Sequence, residues 1–345
     1  TTYGGFWAVT WTDVLQGVII VAGCLTLMVL ALVRVGGLGA ATAKLQTIDP
    51  ELVHGPGPNN YLPLGLAISF FFLWTIGSMG QPVGMVRLMA CRDTPTLRRS
   101  LFLIGVYFAL IYFPLVITFI CARALFPTQY LGHSDRIMPA MALFVTEDFP
   151  LVGGLILAAP YAAAMSAVAG FLLLMSSSLV RDLIQRNINA AISLRTVRLI
   201  SYCTTAVVGV VVALLALRPP EFLQYLIIFS TSGMACTFLA PTVMALYWKR
   251  ATKAGALAAM IGGFSTLFLL WLVGVVQIYR EKHRLTGVNL TPVYLFQLDP
   301  LVYGFLVSIA AGILVSLWSR PLPAHHVNRY FLEDQNSGEP SNQDS

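Results

Sequence analysis

One carboxylate stands apart from the other acidic side chains of this sequence. Of its 15 Asp and Glu residues, 14 fall in polar connectors or in the C-terminal tail, and only Asp13 lies within a long apolar segment. It occurs in VTWTDVLQG, with Thr10, Gln16 and Gly17 within one turn of a helix. Position alone leaves two interpretations open. One is an interfacial carboxylate favoured by the macrodipole at a helix start, and the other is a carboxylate that faces a bundle interior and attracts a cation.

A second stretch concentrates residues that interrupt helices. LGLAISFFFLWTIGSMGQPVGMVRLMACRD (64–93) carries Gly77, Gly80, Pro82 and Gly84 within eight residues of an otherwise apolar run. A helix that unwinds in a membrane is tolerated only where its free backbone groups face protein or a water-filled cavity. The alternative is a kink that only improves helix packing. Four helix-breaking residues within eight positions favour an unwound helix that faces a cavity. Arg87, which follows, is interpreted as an anchor at the inner membrane face.

A third stretch is apolar but built from small residues. In AAPYAAAMSAVAGFLLLMSSS (158–178), Ala159, Ala163, Ser166 and Gly170 recur at spacings of four, three and four, which places them on one face of a helix. Small faces let a neighbouring backbone come close. The spacing therefore predicts a close-packing face, and it does not decide whether Ser166 also binds an ion.

Other classes of site lack support in the residues. No GxSxG, HExxH or Walker A pattern occurs, so nothing argues for an enzyme. The five cysteines lie far apart without metal-ligand spacing. The net charge of +6 comes from basic residues scattered over short loops, and this pattern does not indicate a nucleic-acid partner. We expect no enzymatic activity and no cofactor.

The composition indicates which kind of structural element contains these three stretches. The 345 residues are 57% hydrophobic and 10% charged, with a mean hydropathy of +0.77, so the solvent for this chain is a lipid bilayer. The apolar segments run without period-two alternation and therefore predict helices. We predict eight membrane-spanning helices, at about 10–33, 61–86, 100–125, 151–180, 199–217, 222–247, 254–278 and 300–318.

The basic residues predict an orientation for these helices. Thirteen of the 21 Lys and Arg residues fall in one set of alternate connectors together with the C-terminal tail, and eight fall in the other set. Because cytoplasmic loops carry the excess of Lys and Arg, we expect a multi-pass protein of the cell membrane with its C-terminus in the cytoplasm.

Together the stretches resemble the sodium:solute symporter family. Four motifs carry the resemblance: YGGFWAVTWTDVLQ (3–16), GxxGQPxxxxRxMA (77–90), AAPYAAAMSAVAGFLLLMSSSLVRDL (158–183) and LYWKRATKAGALAAMIGG (246–263). The similarity extends to about residue 318. Within the family, GGLGAATAKLQTIDPELV (36–53) and RPPE (218–221) are most similar to the sodium/pantothenate symporter branch.

The resemblance implies an architecture. The family fold is an all-α, inverted-repeat (LeuT-like) transporter core of two five-helix repeats with sites at the bilayer midplane. Mapped by motif, residues 1–318 would hold the last helix of the first repeat, the complete second repeat and two peripheral helices. Most of the first repeat would then be missing, as expected of an N-terminally truncated chain. Residues 319–345 are predicted to form a polar, disordered cytoplasmic tail.

The resemblance also implies a sodium site. Matched residue by residue, the site would use a backbone oxygen of Ala163 and the hydroxyl of Ser166, completed by a helix that this chain does not contain. The family usually has Ser or Thr directly after that serine, but this chain has Ala167, a departure that should weaken the site or change the coupling ion. Asp13 matches an aspartate implicated in sodium affinity and in sodium release to the cytoplasm.

For the solute, the broken-helix stretch is the matching region. The implied substrate-binding residues are Trp74, Gly77, Ser78 and Gln81. This stretch offers no intramembrane Lys or Arg to bind a carboxylate, and helix N-termini commonly take that role in this fold.

The resemblance therefore implies a cation-coupled symporter that imports a small organic solute by alternating access. Sodium is the expected coupling ion, and pantothenate or a related carboxylate the expected solute. Two alternatives stay open: a proton-coupled or uncoupled carrier, which Ala167 favours, and a transporter-like sensor domain. The expected partners are the solute, the sodium ion and the lipid bilayer, with no nucleic acid.

Overall fold

A computed structural model describes residues 5–129, 134–188, 192–217, 223–282 and 291–331. The start of the first motif (3–4), the RPPE connector (218–221) and the end of the predicted tail (332–345) lie outside the described residues. The described residues form 13 α-helices. They are α1 (Gly5–Val35), α2 (Leu38–Ile48), α3 (Leu64–Thr75), α4 (Pro82–Met89), α5 (Thr94–Leu125), α6 (Ile137–Val145), α7 (Pro150–Ser177), α8 (Leu194–Ala216), α9 (Leu223–Met234), α10 (Ala240–Tyr247), α11 (Lys253–Lys282), α12 (Pro300–Trp318) and α13 (Ala324–Phe331).

Seven spans within the described residues are long and apolar enough to cross a membrane, and the bent helix pair α3–α4 is an eighth if it crosses as one span. Each of the eight overlaps one predicted segment. The all-α membrane fold is therefore confirmed. The inverted-repeat arrangement and the assignment of helices to repeats stay predictions.

The predicted break is present in the second span. Helix α3 ends at Thr75, a 3₁₀ turn covers Gly77–Gly80, and α4 starts at Pro82, with a bend of 50° between the two halves. Gln81 at the break has an extended backbone (φ −78°, ψ 119°), which ends the helical hydrogen-bond pattern. Proline suits the first position of the new helix because its missing N–H has no partner there in any case.

The chain divides into two compact units. The first consists of residues 1–62 and 86–223. Its long helix α1 packs on α7 and α5. A buried cluster, including Leu27, Met141 and Ile156, forms its core where α1, α2, α5, α6 and α7 meet.

The second unit consists of residues 63–85 and 224–345. Helices α11 and α12 make its most extensive contacts. Small residues permit this close approach, because a Cβ on Gly262 would already lie 3.3 Å from the Cβ of Ala311. Its buried apolar cluster centres on Leu73, Cys236, Leu267 and Leu301.

Three local features differ from the sequence-based expectation. The connector after α1 contains the helix α2, which buries Ala41 and Leu45. Part of the predicted disordered tail is the helix α13. Two segments of the chain are π-helical. One directly follows α7 (Ser178–Ile188), and the other lies between α9 and α10 (Ala235–Leu239). Such segments are rare and often occur at functional sites.

Candidate cation site and broken helix

The first unit brings Asp13 and Ser166 into direct contact. The Ser166 hydroxyl on α7 donates a hydrogen bond of 2.6 Å to Oδ1 of Asp13 on α1. A hydroxyl that donates to a carboxylate forms a short, strong bond, and its oxygen keeps lone pairs for a cation. Two residues that the sequence assigned to one sodium site, 153 positions apart, thus form one oxygen cluster.

The contact depends on how closely α1 and α7 approach. A Cβ on Gly23 would lie only 2.6 Å from the Cβ of Ala159, so the two backbones meet where neither residue has a larger side chain. Ala159 and Gly170 are buried, as the small-residue face predicted. Ala163 is exposed and takes no part in this packing. The close approach is confirmed at Ala159, where the partner is Gly23 of α1.

Asp13 has a second partner. Nη2 of Arg87 on α4 lies 2.7 Å from its Oδ2, so both carboxylate oxygens accept hydrogen bonds. The Asp13 side chain is 20% exposed and that of Arg87 is 46% exposed. Arg87 had been interpreted as an anchor at the membrane face. The structure shows that it is the counter-charge of Asp13.

Further polar groups lie along α1 near Asp13. Gln16, three residues on, has a buried Oε1 with no hydrogen-bond partner among the described residues. Tyr107 of α5 packs on Gly17, with its hydroxyl 3.5 Å from the Gly17 carbonyl oxygen. Thr10 bonds to the carbonyl oxygen of Phe6 in its own helix. Of these groups, the amide oxygen of Gln16 is free to become a cation ligand.

The other two residues of the predicted sodium site, Ala163 and Ala167, also lie on α7. Ala163 and Ala167 are both exposed on this helix, one turn before Ser166 and directly after it. Their proposed roles, a carbonyl ligand at Ala163 and a missing hydroxyl at Ala167, stay predictions. No group of three or more His, Cys, Asp or Glu side chains that could hold a metal occurs in the part of the chain that the structure describes.

The substrate candidates lie in the second unit, around the break. Trp74 and Ser78 are exposed and Gln81 is half-buried. The Ser78 hydroxyl donates to the carbonyl oxygen of Thr75. Gly77 is instead buried, with Leu73 and Ala235 as its neighbours. Only the backbone of Gly77 is available to bind a solute. The assignment of all four residues to a substrate site stays a prediction.

The break itself packs against the π-helical segment that follows α9. A Cβ on Gly80 would lie 2.8 Å from the Cα of Ala235 and 3.2 Å from the Cβ of Leu239. An apolar cavity of about 180 Å³ lies beside this contact, with Phe72, Ile76 and Phe305 in its wall. Two irregular backbone segments thus support each other within the second unit.

Comparison with known proteins shows the family of this chain. A model of the sodium:solute symporter family matches residues 1–263, and the chain belongs to that family. It is 33% identical to a sodium/pantothenate symporter of Haemophilus influenzae over 80% of this chain and 56% of that protein. It is 34% identical to the sodium/pantothenate symporter of Escherichia coli over 76% of this chain and 54% of that protein.

A high-affinity proline transporter of Bacillus subtilis is 28% identical over 98% of this chain and 66% of that protein. The chain thus spans about half the length of the pantothenate symporters that it matches. The family resemblance inferred from the motifs is confirmed, and so is a multi-pass membrane protein.

The sequence reasoning missed two charged groups. Arg87 lies 74 residues from Asp13, and the available signal was the cost of an unpaired carboxylate in an apolar segment, which predicts a basic partner. Asp299 is fully buried in the second unit and caps α12 by accepting a hydrogen bond from the Leu301 amide. Its backbone N–H donates to Ser69 of α3. The sequence analysis had placed Asp299 in a polar connector.

Proposed function

We propose that this chain is the ion-binding part of a sodium-coupled symporter for a small organic solute. The observation that carries the proposal is the hydrogen bond between Ser166 and Asp13, which joins the two sodium-site candidates of different helices. Together with the unpartnered amide oxygen of Gln16, they offer the oxygen ligands that a hard cation such as sodium requires.

The charge of the site supports coupling to a cation. A carboxylate within an apolar helix is costly unless its charge is balanced. Asp13 is balanced by Arg87 in this structure, and a sodium ion would supply the same charge. The coupling ion would favour the state that binds solute, because an ion shifts a conformational equilibrium only through differential affinity.

The break between α3 and α4 supports a solute site in the second unit. The exposed indole of Trp74 offers an apolar surface, and the hydroxyl of Ser78 and the amide of Gln81 offer hydrogen bonds. An acidic solute would also find the helix N-terminus that begins at Pro82. The named relatives transport pantothenate and proline, both of which carry a carboxylate, so a small carboxylate is the proposed solute class and pantothenate the first candidate.

A second candidate function is a carrier driven by protons or by the solute gradient alone. Ala167 favours it, because the position that usually supplies a second hydroxyl in this family carries a methyl group here. In both cases we propose alternating access in the cell membrane, with the tail after α12 in the cytoplasm.

An uptake experiment separates these functions. The full-length protein in proteoliposomes is offered labelled pantothenate, proline and other monocarboxylates, with sodium and proton gradients imposed separately. We expect a sodium gradient to drive uptake of at least one carboxylate. Uptake that follows only the proton gradient, or neither gradient, would contradict sodium symport and support the second candidate.

A further inference from the structure

We propose that the guanidinium of Arg87 competes with the coupling cation for the carboxylate of Asp13 and so drives release of the ion. The inference rests on the proposed function and assigns a new positioning residue to the same site. It begins with the hydrogen bonds of the carboxylate. Oδ1 of Asp13 accepts from Ser166 at 2.6 Å, and Oδ2 accepts from Arg87 at 2.7 Å.

The two bonds are not equivalent toward a cation. Ser166 is a neutral group whose oxygen can bind a cation while its hydrogen stays on Asp13. Arg87 has no acceptor and carries a full positive charge, so it cannot share the carboxylate oxygen with a metal ion at close range. A cation that reaches Oδ2 must displace the guanidinium, and the returning guanidinium must displace the cation.

Exposure makes this exchange feasible. The Arg87 side chain is 46% exposed, whereas the Asp13 side chain is only 20% exposed. The carboxylate is thus held by the packed helices α1 and α7, and the guanidinium is the less enclosed partner of the two. A buried pair would be too costly to separate during transport, whereas partly exposed pairs contribute little stability and open readily.

The position of Arg87 in the fold is also consistent with a side chain that moves during transport. It lies in α4, an eight-residue helix that starts directly after the break in the second span. Asp13 and Ser166 lie on the long helices α1 and α7, which pack closely through Gly23 and Ala159. The carboxylate and hydroxyl therefore stay together, while the helix that carries the guanidinium is the shortest part of the arrangement.

The chain contains a natural control. Arg34 and Asp148 form the other ion pair among the described residues, 3.3 Å apart, with both side chains at the surface (38% and 73% exposed). Arg34 contacts neither Asp13 nor Ser166 in the described hydrogen bonds. The same substitution at Arg34 thus removes a charge of the same sign without touching the carboxylate of the site.

The test measures both affinity and rate in the full-length protein in proteoliposomes. We expect Arg87→Gln to lower the sodium concentration for half-maximal uptake by roughly three- to tenfold, because the competing charge is gone. The maximal rate should fall, because sodium leaves Asp13 more slowly. Arg87→Lys, which keeps the charge, should retain most of the wild-type behaviour, and Arg34→Gln should match the wild type.

The Asp13→Asn background shows whether Arg87 acts through the carboxylate. There, Arg87→Gln should cause no further change in half-saturation or in the dissociation rate of a radioactive sodium tracer. An unchanged or raised half-saturation for Arg87→Gln in a folded protein would overturn the inference, as would an equal shift in the Asp13→Asn background. Wild-type uptake that ignores sodium would overturn the proposed function instead.

Discussion

The backbone of Ala235 occupies the place that a side chain on Gly80 would need. A Cβ there would lie 2.8 Å from the Cα of Ala235 and 3.4 Å from the carbonyl oxygen of Met234. Both obstacles are backbone atoms, so no side-chain rotation relieves them. The glycine is therefore required by the contact between the 3₁₀ turn after α3 and the π-helical segment after α9.

This contact predicts opposite outcomes for two glycines of the break. Gly80→Ala should destabilise the protein by about 1–3 kcal/mol, because it overpacks a backbone contact. Gly84→Ala is the matched control, since its Cβ would meet no atom within 4 Å and alanine favours the helix α4. Thermal unfolding in detergent measures both variants. Equal loss of stability in the two would contradict the packing role of Gly80.

The approach of α1 to α7 allows a rescue experiment. Gly23→Ala places a methyl group 2.6 Å from the Cβ of Ala159, and we expect a loss of about 1–3 kcal/mol. Adding Ala159→Gly removes the opposing methyl group and should recover much of the stability. Gly105→Ala in α5, where a Cβ has no neighbour within 4 Å, is the control and should be neutral. A double variant no more stable than Gly23→Ala would show that the two residues do not meet.

The buried carboxyl of Asp299 predicts a dependence of stability on pH. Asp299 immediately precedes α12, and burial raises its pKa from 3.8 to about 6. Because the folded pKa lies above the unfolded one, its contribution to stability is fully present below about pH 4 and is lost as the pH rises to about 6.

Asp299→Asn removes this dependence and keeps a side chain that can cap the helix. We expect the variant to be more stable than the wild type above pH 6, by an amount on the order of 3 kcal/mol. Asp93→Asn is the control, since Asp93 caps α5 in an exposed position and the hydrogen bond from Thr96 lowers its pKa. Unfolding midpoints from pH 4 to pH 8 measure the effect. Parallel curves for the wild type and Asp299→Asn would refute it.

The residue after Ser166 predicts a gain of function. Ala167→Ser restores the hydroxyl that the family usually carries, and one added oxygen ligand should lower the sodium half-saturation about two- to tenfold. Ala164→Ser places the same hydroxyl on the side of α7 opposite Ser166, at an exposed position, as a control. Sodium-dependent uptake measures both. If Ala167→Ser leaves the half-saturation unchanged, position 167 does not face the ion.

Much of the fold was predictable because a bilayer imposes strong rules. Twenty apolar residues in a row must form a helix, so the spans followed from hydropathy. The break at Gly77–Gly80 followed from four helix breakers, and the face with Ala159 and Gly170 followed from the spacing of small residues. In each case a local property of the chain decides the local structure.

The groups that the sequence missed depend on distant contacts. Nothing near Arg87 indicates Asp13, because their pairing depends on how α1 and α4 meet. Asp299 stands next to a span like any helix cap, and its backbone N–H bonds to Ser69, 230 residues away. The π-helical segment at Ala235 leaves no mark in composition, because a shift in hydrogen-bond register keeps the same residue types.

The most direct test of the cation site is equilibrium binding of a radioactive sodium tracer to the purified full-length protein, without solute. We predict saturable binding to the wild type. We expect Asp13→Asn and Ser166→Ala each to weaken it about tenfold, since each removes one oxygen ligand. Ser177→Ala, which removes an exposed hydroxyl bonded to its own helix at Leu174, should bind like the wild type. Sodium binding unchanged in both Asp13→Asn and Ser166→Ala would contradict the assignment of these residues to the site.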